Sequence, residues 1–168
     1  SHYRDCILAV RQRSPEVGLE LLCSDLDGNL EALAALLEDL PLRVFAHNVE
    51  CVPRLDSVVR DPRASFEQSL TILREARRLR PDIRIKSSIM VGLGETDEEV
   101  TQAMRMLREV GVDMITLGQY PQPGDRHLPV DRFPEPAQFQ RWDQEAREIG
   151  FEAVASGPLV RSSYRAGL

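Results

Sequence analysis

The sequence predicts an α/β protein built on a parallel sheet, and three observations predict it. Short apolar runs alternate with stretches of helical period along the whole chain, the pattern of strand–helix–strand units with right-handed crossovers. The run Ile83–Val91 is long and β-branched, passes into Gly92-Leu93-Gly94, and meets a helix start at Thr96. Polar side chains gather just after the strands, where α/β proteins bind their ligands. The 168 residues suffice for one domain with a real core, and 42% apolar with 29% charged residues is the balance of a soluble globular protein. A net charge of −6 argues against a nucleic-acid or anionic-membrane surface. No apolar run approaches the ~20 residues of a membrane span, and the polar opening Ser1-His2-Tyr3-Arg4-Asp5 is no signal peptide. Cys6, Cys23 and Cys51 are too few and too scattered for a disulfide framework. They point to a reducing, cytoplasmic setting and read as buried thiols.

Each element has its own signal. Tyr3 to Ser14 is expected to be a helix burying Tyr3, Cys6, Ile7 and Val10 on one face. Leu19–Cys23 is a short strand, followed by Asp25-Leu26-Asp27-Gly28, either a turn or a cation contact. Asn29 caps a helix over Leu30–Leu40, which Pro41 closes. Arg43–Ala46 is a strand whose end is crowded by His47, Asn48 and Glu50. Asp56–Ala64 reads as loop or a short helical turn. Ser65 and Gln68 form a capping box for a helix to about Leu79, with Phe66, Leu70 and Leu73 inward. The strand from Ile83 carries Lys86, a charge rarely tolerated inside a buried strand. Thr96 and Glu99 form a second capping box, opening a helix to Val110 with Gly111 as its C-terminal cap. Asp113–Gly118 is a strand. A stiff loop with five prolines follows from Pro121 to Pro136. A helix lined by Phe139, Trp142, Ala146 and Ile149 ends at Gly150, and Phe151–Ala155 is the last strand. There is no phosphate loop, no Gly-x-Ser-x-Gly elbow and no Cys-x-x-Cys.

Several stretches together resemble lipoyl synthase, a radical S-adenosylmethionine (SAM) enzyme. They are Val44–Glu50 with Val52-Pro53-Arg54, Lys86–Thr96, Gly118-Gln119-Tyr120 with Gln122-Pro123, Arg126–Val130, and Gly157–Tyr164, which ends in Arg161-Ser162-Ser163-Tyr164. The resemblance implies part of a six-stranded (β/α) radical-SAM barrel of TIM type over residues 1–155, its first strands missing, then a tail over 156–168. Four barrel strands are expected, starting at Leu19, Val44, Ile83 and Met114. It implies insertion of two sulfur atoms, at C6 and C8 of an octanoyl chain carried on a lipoyl domain or H protein. One [4Fe-4S] cluster would cleave S-adenosylmethionine to a 5′-deoxyadenosyl radical and a second, auxiliary one would supply sulfur. Ferredoxin or flavodoxin would supply electrons, with no nucleic acid and no membrane as partner. By motif Ser162, or less favourably Ser163, is an auxiliary-cluster ligand, with Arg161 beside it; a serine oxygen is a harder and weaker iron ligand than thiolate. Asn48, Glu50, Lys86 and Ser88 would line the ribose and methionine end of the nucleoside cofactor, Lys86 pairing with its carboxylate, with Gly92, Gly94, Glu95 and Gln119 nearby. On this reading Lys86→Met weakens cofactor binding and leaves the fold intact.

The chain departs from that family's pattern. Both cysteine triplets are absent, and Cys6, Cys23 and Cys51 cannot replace them, so this stretch alone is expected to be inactive. Ser88 stands where the family has Gly and Cys51 where it has Thr. Asp25-Leu26-Asp27-Gly28 replaces Asp-Phe-Arg-Gly. An incomplete barrel leaves an open sheet edge. Two other readings are a non-catalytic nucleotide-binding module and an iron-free α/β enzyme using His47 and Glu50 as acid and base.

Overall fold

The structure, a computed structural model, describes residues 2–163. Helix α1 (His2–Arg13) leads into strand β1 (Glu20–Leu22), helix α2 (Leu30–Leu37) and strand β2 (Val44–Ala46). The short helix α3 (Asp56–Val59) precedes α4 (Phe66–Leu79), β3 (Arg84–Val91), α5 (Asp97–Glu109), β4 (Met114–Gln119), α6 (Pro136–Ile149) and β5 (Ala153–Gly157). The five strands form one sheet in the order β1-β2-β3-β4-β5, every pair parallel, and the sheet does not close into a barrel. Sequential order in a parallel sheet means each strand is followed by a crossover on the same face, as in one half of a (β/α) barrel. The strand at 153–157 pairs with β4, so the sheet holds five strands where four were expected, and β5 runs two residues past Ala155.

The register separates two faces. Phe45, Ile85, Ile89, Ile115 and Leu117 point to the helical layer and join Leu33, Leu73, Met104, Leu107, Phe139 and Trp142 in one core. Each such side chain contributes about 1.5–3 kcal/mol on leaving water. The alternate residues Lys86, Ser88, Met90, Met114, Thr116 and Gly118 lie on the inner face.

The helix boundaries follow local chemistry. Thr96 and Glu99 make both hydrogen bonds of a capping box. Gly111, at φ 90°, closes α5 as a Schellman motif, with Gly111 N donating to Arg108 O and Val112 N to Leu107 O. Ser65 caps α4, but the box there is half made. The Gln68 side chain is turned to Asp25 instead, whose Oδ2 accepts from Gln68 Nε2 at 2.7 Å. The Asp25–Gly28 stretch is accordingly a 3-10 turn tied to α4. Helix α2 stops at Leu37, three residues short of expectation, since Asp39 takes φ 51° to swing Leu40 back into the core. On α1 only Ile7 is buried; Tyr3 and Val10 stay 40% and 45% exposed, and Arg4 Nη1 donates to Ala35 O and Leu36 O of α2.

Candidate functional site

The carboxyl ends of β2, β3 and β4 open into a cavity of about 720 Å³, well within the range of small-molecule sites. Asn48, Glu50, Ser88, Met90 and Gln119 line it from the sheet, Val58 and Val59 from α3, Tyr120, Pro121, Pro123 and Arg126–Pro129 from the proline loop, and Val160, Arg161 and Ser162 from the last segment.

Two of these side chains owe their aim to a bulge. Beyond Ala46 the β2–β3 ladder continues with His47 N donating to Lys86 O (3.1 Å) and then Glu50 N to Ser88 O (3.2 Å). Three steps on one strand therefore match two on the other. Val49 goes into the core and its stranded N–H finds Ser87 Oγ at 3.3 Å. Glu50 takes φ 68°, a left-handed conformation that costs a non-glycine residue about 1 kcal/mol or more. Asn48 and Glu50 thereby face the cavity together. Burial pushes the Glu50 carboxyl above its ordinary value, against the neighbouring Asn48 amide and the positive charge of Arg60, which lower it. On β3, Ser88 accepts from Thr116 Oγ1 at 2.8 Å, the residue directly opposite it on β4.

The other expected site residues divide. Arg161 and Ser162 line the cavity; Ser163 is outside it, and Tyr164 lies outside the described residues. Lys86 is not in the cavity. It sits two residues below Ser88, about 7 Å along the strand, 2% exposed, with its ammonium against both carboxylate oxygens of Glu20 at 2.8 and 3.0 Å. Its charge is satisfied by an acid two strands away, and Glu20 gave no sign of this in a run of leucines. Gly92, Gly94 and Glu95 are also set back. A Cβ on Gly92 would collide with Gln119 Nε2 and Arg132 O, so the close approach that glycine permits is made by the chain itself. Glu95 turns inward to accept from Gly92 N and Leu93 N at 2.7 and 2.9 Å. Gln119 reaches the cavity wall, but its amide nitrogen donates to Tyr120 O and Arg132 O.

His47 is buried on the helical side. Its Nδ1 lies 3.0 Å from Cys23 O and its Nε2 2.9 Å from Ser69 Oγ, which Arg60 Nη1 also reaches at 3.0 Å. Burial lowers its pKa, holding the ring neutral. His47 does not line the cavity that Glu50 faces, which removes it as an acid–base partner for that carboxylate. Burial also pushes the Cys51 thiol up to about 12, so it stays protonated and unreactive. The apolar wall of Val58, Val59 and Leu128 was missed by sequence reasoning; the signal was the Val-Val pair in a charged segment read as loop or a short helical turn.

Known proteins agree with this architecture. The HMG-CoA lyase from Bacillus subtilis superposes with a TM-score of 0.52 at 16% identity, over 90% of this chain and 58% of its own, a likeness of fold alone. Lipoyl synthase 2, chloroplastic, from Zea mays is 53% identical over 167 residues, 99% of this chain and 45% of its own length. A lipoyl synthase from Thermus thermophilus is 51% identical over 166 residues, 99% of this chain and 51% of its own. The chain thus spans about half the length of the curated relatives it matches. The Radical SAM superfamily model matches residues 2–117, more than half of the chain. The chain belongs to the radical SAM superfamily.

Proposed function

We propose that this chain is the part of a lipoyl synthase that holds the nucleoside end of S-adenosylmethionine, in an enzyme inserting sulfur at C6 and C8 of a protein-bound octanoyl group. One observation carries the reading: a bulge holds Asn48 and a desolvated Glu50 side by side at the mouth of a mixed polar and apolar cavity, in a chain about half identical to lipoyl synthases. The donor set suits the cofactor. A carboxylate beside an amide offers acceptors and a donor for a ribose diol. Ser88 adds a hydroxyl, Met90 and Leu93 supply apolar wall for a base, and the Arg161 guanidinium is placed for a carboxylate. Bound S-adenosylmethionine supplies the radical chemistry that opens C–H bonds. This chain's residues orient it and hold water away.

The iron–sulfur clusters are a separate matter. Such clusters need converging thiolates. Among the described residues no three His, Cys, Asp or Glu side chains gather, and Cys6 is exposed on α1 while Cys23 and Cys51 are buried after β1 and β2. These residues do not fit a cluster. Ser162, which lines the cavity, keeps the single auxiliary-cluster ligand role that its motif implies. The octanoylated lipoyl domain or H protein, the ferredoxin or flavodoxin donor and a cytoplasmic setting belong to the same proposal.

The test is calorimetric titration of S-adenosylhomocysteine into the full-length protein. Glu50→Gln and Asn48→Ala are each expected to weaken binding at least tenfold, about 1.4 kcal/mol. Unchanged affinity in both variants overturns the site. Iron for two [4Fe-4S] clusters, with cleavage of S-adenosylmethionine, is the result expected of the whole enzyme.

A further inference from the structure

Gly118 sits inside β4, in register with Met90 on one side and Gly157 on the other. A glycine in a strand interior is costly and marks either a bulge or a close approach of another backbone. Here there is no bulge, since the β3–β4 ladder runs unbroken through it and the β4–β5 ladder runs in register up to it. Its φ is not in the left-handed region, so the backbone alone would accept alanine. The reason is steric. After β5 the chain turns, with Val160 N donating to Gly157 O at 3.0 Å, and crosses back over the inner face of the sheet. The Val160 carbonyl then lies directly over Gly118. An added Cβ there would come closer to Val160 O than the 3.0 Å that real Cβ atoms keep. The same carbonyl accepts from Arg161 Nη1 at 2.7 Å, and Val160 itself is buried. Val160 is thus the anchored residue of a strap at the cavity's edge, and the next two residues, Arg161 and Ser162, line the cavity with it.

We infer that Gly118 is a positioning residue: its missing side chain is the seat on which the 157–163 strap docks, and that docking delivers Arg161 and Ser162 to the strand-end site. The seat stands on geometry alone; its consequence for a bound nucleoside rests on the function proposed above.

The test is native-state trypsin cleavage of the full-length protein, reading the Arg161–Ser162 bond against the Arg126–His127 bond of the proline loop. In Gly118→Ala, cleavage after Arg161 is expected to rise at least tenfold while cleavage after Arg126 stays within twofold. Should that variant fail to fold, Val160→Asp unseats the strap from its own side and leaves β4 untouched; it is expected to give the same selective rise. An unchanged Arg161 rate in a folded variant overturns the inference, as does an equal rise at both bonds, which would mean general loosening. S-adenosylhomocysteine then separates the two proposals. Slower Arg161 cleavage of the wild-type protein with ligand supports the nucleoside site. No ligand protection, with the selective effect of Gly118→Ala retained, overturns that site and leaves the seat standing.

Discussion

The two ends of the sheet are built on opposite principles. At the amino ends of the strands, arginines satisfy the carbonyls that helices and turns leave open. Arg77 reaches Gly111 O, Pro81 O, Ile83 O and the Asp113 carboxylate, and Asp113 in turn accepts from Ile85 N. Arg80 holds Leu37 O and Leu40 O, and Arg4 caps the end of α2. The Lys86–Glu20 pair closes the inner face just above. At the carboxyl ends a bulge interrupts the ladder, Glu50 holds a left-handed conformation, and a carboxylate is desolvated against an open cavity. One end pairs its polar groups within the chain. The other stores strain and unmet polar capacity, which a ligand can use.

Substitutions can break this contrast. The largest loss is expected from Lys86→Met, which strands Glu20 in a site where both partners are largely buried. Removing one member of such a pair costs about 3 kcal/mol or more. Urea unfolding reads it; a stable Lys86→Met protein with weakened S-adenosylhomocysteine binding would return Lys86 to the cofactor site. Next is Arg77→Ala, expected to cost about 2 kcal/mol in the same measurement, since several carbonyls and Asp113 lose a charged donor. A loss under about 0.5 kcal/mol would mean the amino end is not held by its arginines.

Glu50→Gln should do the reverse. The folded pKa of Glu50 is raised above its unfolded value, so its ionised form costs stability once pH rises above the ordinary carboxylate range, and the cost vanishes below it. The variant is therefore expected to melt at a higher temperature than wild type at pH 7 and at the same temperature near pH 4. A lower melting temperature at pH 7 would make Glu50 a structural residue.

Much of this was legible in the sequence, and the legible part is local. The strand–helix alternation, the Thr96 capping box, the Gly111 and Gly150 caps and the Phe66–Leu70–Leu73 stripe all depend on neighbours within a turn or two, and all stand in the structure. The placing of Asn48 and Glu50 at a strand end was legible for the same reason. Their aim was not, because it depends on a register difference with β3 that no single strand encodes. The partner of Lys86 was not legible either, because a buried charge does not name the group that pairs with it, and Glu20 lies 66 residues away.

By itself, then, the sequence determined the period of each element, its caps and the polar character of the strand ends, since these arise from hydrogen bonds and burial within a few residues. The tertiary structure alone decided three things: that Lys86 belongs to Glu20, that Gly92 is filled by Gln119 and Arg132, and that Gly118 is a seat for Val160. Each is a contact between segments distant in the chain. A side chain's charge or absence states that such a contact is needed, and only packing chooses which group makes it.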